Sequence, residues 1–122
     1  MAKPKRDPVR ENRLHDEIIV DANGPEEQAM SWYYYLQAKI HFPFRATCTT
    51  LRTTSPLRKA ESVEVRRMAP EDRCSLDMLV MIRWQERNLA APLSQLTPVD
   101  PDDSTGQAIG DRHYWVAQGY CF

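Results

Sequence analysis

One change of hydrophobic period decides which folds are open to this chain. Across residues 25–40, Ala29, Tyr33, Leu36 and Ile40 recur at i, i+4, i+7 and i+11, the spacing of one helix face. From Phe44 the spacing falls to two. Phe44, Ala46 and Cys48 alternate with Arg45, Thr47 and Thr49, and Ser62-Val63-Glu64-Val65-Arg66 alternates in the same way. The switch has a local cause at Phe42-Pro43, because a residue before proline is pushed out of helical angles. The helix start is equally marked: Pro25 suits a first helical position, and Glu26 and Glu27 follow in the first turn.

The rest of the chain extends this pattern. Further strands are expected at 75–84, at Leu89-Ala90-Ala91 and at Thr97-Pro98-Val99, with a reversal at Glu86-Arg87-Asn88. Pro92-Leu93-Ser94-Gln95-Leu96 suits a single 3₁₀ turn. Five short strands with a one-turn helix before the last predict a small SH3-like β-barrel. Asp100-Pro101-Asp102-Asp103-Ser104 is a polar helix start, and a C-terminal helix follows over 105–118 with Ile109, His113 and Val116 on one face. The expected class is therefore α+β, the barrel flanked by a long helix before it and a helix after it. Upstream, 9–15 suits a turn or two of helix, and the β-branched Ile18-Ile19-Val20 favours an extended segment. Residues 1–8 are expected to be a flexible basic tail and 9–122 a single domain, with Tyr120-Cys121-Phe122 docking back on it.

Charge and composition exclude several functions. Sixteen basic and seventeen acidic residues leave a net charge of −1, which gives no global pull toward nucleic acid or membrane. The Lys3–Arg13 stretch is better read as a solvated arm than as a phosphate contact. No apolar run approaches the roughly 20 residues of a membrane span. No apolar segment follows the basic start, so no secretory signal is expected and the chain reads as cytoplasmic. Cys48, Cys74 and Cys121 are odd in number and form no zinc spacing with His15, His41 or His113. There is no P-loop, nucleophile elbow or H-E-x-x-H, so no enzyme is expected.

One constellation carries chemistry. Residues 17–27 hold Glu17, Asp21, Glu26 and Glu27 around the turn Asp21-Ala22-Asn23-Gly24. A hard cation such as Ca²⁺ takes carboxylate and carbonyl oxygens of this kind, and Asn23 can add one more. The spacing is not that of an EF-hand. The same acids also suit the positive end of a helix with no ion at all. Asp111, inside the last helix, could add an oxygen or face solvent. Asp100, Asp102 and Asp103 read more simply as a helix N-terminus. Trp32-Tyr33-Tyr34-Tyr35 with Trp84, Tyr114 and Trp115 reads as packing of helices on the sheet rather than as a base-stacking platform.

A resemblance weighs on this choice. Glu17-Ile18-Ile19-Val20-Asp21-Ala22, Pro25-Glu26-Glu27-Gln28-Ala29-Met30, Trp32-Tyr33-Tyr34-Tyr35-Leu36 and Phe42-Pro43-Phe44 resemble the bacterial calcium-binding protein family of the cyanobacterial CcbP type. So do Ser55-Pro56-Leu57, Pro92-Leu93-Ser94-Gln95-Leu96 and His113-Tyr114-Trp115-Val116. The likeness runs in order over nearly the whole chain. It implies a small soluble protein that buffers or senses Ca²⁺. It also implies acidic residues where this chain has Gln37-Ala38 and Gly110. Each missing carboxylate lowers the ligand charge on which Ca²⁺ affinity depends. The resulting expectation is reversible Ca²⁺ binding, with Asp21, Glu26 and Glu27 as main ligands and Glu17 and Asp111 as further ones. The alternative is a metal-free SH3-like interaction module whose barrel face and aromatic helix bind a protein or peptide partner.

Overall fold

The structure is a computed structural model that describes residues 5–20, 22, 24–50, 56–74 and 77–119. Three helices flank one antiparallel sheet: α1 (Pro8–Leu14), α2 (Pro25–Lys39) and α3 (Asp103–Ala117). The strands are β1 (Phe44–Cys48), β2 (Ser62–Met68), β3 (Leu79–Trp84), β4 (Arg87–Pro92) and β5 (Leu96–Pro98). A π-helical turn, His15–Ile19, extends α1, and 3₁₀ turns occupy Glu71–Arg73 and Leu93–Gln95. No helix among the described residues is long and apolar enough to cross a membrane.

The sheet has the order β4-β3-β2-β1-β5 and is open. The closed barrel expected from the strand count is not present in the pairing. The Leu93–Gln95 turn carries the chain from β4 across to β1, where three-residue β5 pairs Leu96 with Cys48 and Pro98 with Ala46. The two outer strands therefore lie at opposite edges. Within β2 the alternation holds, Val63, Val65 and Met68 facing inward, with a shift of register between Val65 and Arg67.

Two local expectations are corrected. Ile18-Ile19-Val20 is not extended: Ile18 and Ile19 close the π-helical turn, and Val20 caps it through its N–H to the His15 carbonyl at 2.7 Å. Ile18 is buried in the core, and that packing outweighs β-branched preference. The reversal before β4 falls at Gln85-Glu86, both at positive φ (47° and 64°), not at Glu86-Arg87-Asn88. Two consecutive left-handed residues are what a tight two-residue hairpin requires, and neither residue type signals it.

The core lies between the helices and the inner sheet face. Ala29, Tyr33, Leu36 and Ile40 are all buried, as their spacing predicts, and so are Leu14, Trp32, Ile82, Leu93, Leu96 and Ile109. Helices α2 and α3 run antiparallel. The Ser104 hydroxyl donates to the Lys39 carbonyl (2.7 Å), Tyr35 donates to Asp111 (2.8 Å), and Trp32 lies tilted against Trp115 at 5.8 Å between ring centroids. Asp102 caps α3 by accepting the Thr105 N–H at 2.7 Å, as the helix-start reading predicts. A hydrogen bond from His41, reinforced by Thr105, pulls the Asp102 carboxyl down to about 2. The final segment Tyr120-Cys121-Phe122 lies outside the described residues.

His113 gives the fold a pH dependence. Its Nε2 donates to the Leu96 carbonyl at 2.6 Å. Burial pushes its pKa down; the Leu96 bond opposes this and the nearby Arg112 charge adds to it. Below about pH 6.5 the unfolded chain takes up a proton that the folded chain refuses. This contribution is therefore complete above that pH and is lost as pH falls toward the depressed folded value. Melting temperature should drop more steeply between about pH 7 and 5 in the native protein than in His113→Gln. Parallel curves would show that His113 plays no part.

Candidate metal centre

The π-helical turn and α2 bracket residues 21–23. The Ala22 N–H donates to the Ile19 carbonyl at 2.9 Å as the π-helical turn closes. Gly24, at φ +91°, then opens α2, and its carbonyl accepts the Gln28 N–H at 3.1 Å. A Cβ at Gly24 would meet nothing within 4 Å, so backbone angle rather than space demands glycine there. Glu26 and Glu27 stand exposed in the first turn of α2, and Glu17 is exposed on the π-helical turn. Asp21 and Asn23, named from sequence as ligands at this turn, lie outside the described residues.

Asp111 has a different setting. It is fully buried in α3, and basic and phenolic groups from two other helices surround it. Its Oδ1 accepts from Arg13 Nη2 at 2.6 Å and lies 3.3 Å from Arg10 Nε. Its Oδ2 accepts from the Tyr35 hydroxyl at 2.8 Å. Arg13 continues outward, 3.3 Å from Glu17 and 3.2 Å from the Tyr35 hydroxyl oxygen. The hydrogen bond to Asp111 holds the Arg13 guanidinium well above its ordinary range. Burial, and then the Asp111 bond, push Tyr35 up to about 12. Both donors therefore stay protonated at neutral pH.

Glu17 and Asp111 are thus brought to one guanidinium rather than to one vacant point. Both Asp111 oxygens accept from protein donors, Oδ1 from Arg13 and Oδ2 from Tyr35. Glu17, Glu26 and Glu27, exposed on either side of the reversal, have the chemistry a hard cation takes. Among the described residues, no three Asp, Glu, His or Cys side chains converge closely enough to hold a metal. Glu26 also borders a groove of about 290 Å³ with Glu71 and Asp72. The sequence points to a solvated arm for Arg10 and Arg13 and to aromatic packing for Tyr35, whereas all three turn to Asp111. The Arg10/Arg13 and Arg13/Glu17 spacings were the available signal, since residues three and four apart share a helix face.

Among the described residues the cysteines sit in unreactive settings. Cys48 and Cys74 are buried and unbridged, and burial pushes the Cys74 thiol up, toward the unreactive form.

The scaffold is α+β, with Glu17, Glu26 and Glu27 exposed on either side of residues 21–23. The CcbP-type calcium-binding family, described as calcium binding, matches residues 12–116, and this chain belongs to it. Two solved structures are similar over 100% of this chain and 100% of theirs. The crystal structure of Anabaena CcbP is 42% identical with a TM-score of 0.87. A calcium binding protein in the calcium-binding form is 41% identical with a TM-score of 0.86. No curated protein matches. The family is one of calcium binding, not of an enzyme activity.

Proposed function

We propose that this chain binds Ca²⁺ reversibly at the turn between the π-helical segment and α2, as a buffer. Asp21, Glu26 and Glu27 supply the main oxygens, Glu17 borders them, and water with a backbone oxygen near Asn23 completes the shell. The observation that carries this reading is the exposure of Glu17, Glu26 and Glu27 on both sides of residues 21–23, in a chain of a calcium-binding family. Without an ion these charges repel one another, and a divalent cation removes that repulsion. Asp111 enters the shell only where the ion displaces Arg13. An open turn of this kind exchanges its ion without disturbing the core, which suits buffering. An SH3-like description of the sheet is supported by its strand order and by the one-turn helix before β5.

Titration calorimetry of CaCl₂ into chelator-stripped protein tests the proposal. Binding heat is expected for the native chain and is expected to vanish in Asp21→Asn/Glu27→Gln. Saturating Ca²⁺ should also raise folding stability, by about 2.7 kcal/mol at roughly 100 times Kd, reversibly with EDTA. No heat and no thermal shift at several millimolar Ca²⁺ would remove the proposal.

A further inference from the structure

The outer face of the sheet carries a second feature that calcium binding does not use. The register shift between Val65 and Arg67 inserts Arg66 into β2, so that two consecutive arginines are exposed. A bulge re-aims side chains in this way, at the expense of one ladder position. Arg67 pairs across the sheet with Met81 on β3, which pairs in turn with Ala90 on β4. Arg66, Arg67, Met81 and Asn88 line a groove of about 300 Å³. Arg67, Met81 and Asn88 also line a neighbouring groove of about 380 Å³ that reaches Arg73 and Leu89. The two share Arg67, Met81 and Asn88, and together they form a channel lined by three guanidiniums and by apolar side chains, with no carboxylate among the lining residues.

The charges here are only partly compensated. Arg66 has an exposed partner in Glu64 at 3.6 Å, whereas Arg67 and Arg73 have no ion pair among the described residues. Strand β4, which forms one wall, is an edge of the sheet. An edge strand offers unpaired backbone donors and acceptors to an extended chain.

We propose that this channel is a docking site for an extended acidic peptide segment of a partner protein, its carboxylates meeting Arg66, Arg67 and Arg73 and its apolar side chains resting on Met81 and Leu89. Planar guanidiniums pair bidentately with carboxylates, and the apolar floor rewards a peptide that alternates acidic with apolar residues. Phosphate backbones are disfavoured because Arg66 is already paired with Glu64 and the chain as a whole carries a net charge of −1. The site is independent of the calcium turn and is expected to work in chelator.

Fluorescence anisotropy in EDTA-containing buffer tests this, with a labelled peptide alternating glutamate with leucine, its glutamine counterpart, and a labelled single-stranded DNA. Saturable binding of the glutamate peptide is expected, weakened about tenfold by Arg67→Gln/Arg73→Gln through loss of charge-assisted bonds. Lys59→Gln, on a remote turn, should bind like the native chain, and unchanged melting temperatures would show that all variants fold. Absence of binding, equal binding of the glutamine peptide, tighter binding of DNA, or full affinity in the double variant would each overturn the proposal. Because chelator is present throughout, none of these results bears on the calcium reading.

Discussion

Asp111→Asn is expected to destabilise the protein by about 3 kcal/mol in calcium-free buffer, near the lower end of what breaking a buried ion pair costs. The low end applies because Arg13 and Arg10 keep side-chain exposures of 29% and 35% and can turn partly to water, whereas Asp111 has none. For a chain of this size the corresponding fall in melting temperature is about 10 °C. The loss has a structural origin. Asp111 ties α1 to α3 through Arg10 and Arg13, and α2 to α3 through Tyr35. The neighbouring contacts depend on the same arrangement: Tyr114 donates to Glu11 and accepts the Asp7 N–H at 2.8 Å, and Arg10 lies over its ring. Urea denaturation in EDTA measures the effect. A variant as stable as the native chain in EDTA, losing stability only when Ca²⁺ is added, would make Asp111 an ion ligand instead. A double-mutant cycle with Arg13→Gln should show coupling, since the two side chains share one hydrogen bond.

Trp32→Ala should cost about 3–5 kcal/mol, a large part of the margin of a domain this small. Trp32 has no exposed surface. It packs edge-on against Tyr35 at 6.0 Å and tilted against Trp115 at 5.8 Å. The Arg112 guanidinium, itself buried, lies 5.0 Å from its ring centroid, with Asp77 3.9 Å from one nitrogen. Burial lowers Arg112 to about 10, so it remains a cation at neutral pH and the ring face is part of what accommodates it. Trp32→Phe should be much milder, because a ring face remains and the indole N–H, which has no partner among the described residues, is removed. Denaturant midpoints and near-ultraviolet dichroism would measure both. Equal losses in the two variants would show that a phenyl face does not substitute for the indole.

The two predictions concern residues that differ in how legible they were. Trp32 sits beside a helical stripe that the spacing of Ala29, Tyr33, Leu36 and Ile40 already marks, so its burial follows from local periodicity. Helix α2, the 3₁₀ turn before β5 and the Asp102 cap were equally local. Each is set by groups within one helical turn of one another, and sequence spacing reports such groups directly. The π-helical turn at Ile18-Ile19 was not legible, because intrinsic preference there points to a strand and only the core contact of Ile18 reverses it.

At the site the division is the same. The sequence by itself determined that four carboxylates crowd one turn, that glycine opens the helix behind them, and, through its resemblance, that calcium is the ion to expect. Only the tertiary structure decided that Asp111 faces Arg10, Arg13 and Tyr35, and that Arg66, Arg67 and Arg73 share one channel with Met81. Contacts such as Arg13 with Asp111 join groups far apart in the chain, and their free energy depends on the packing of three helices. A one-dimensional pattern can show that a charge exists, but which opposite charge it meets is settled only when burial removes water as the competitor.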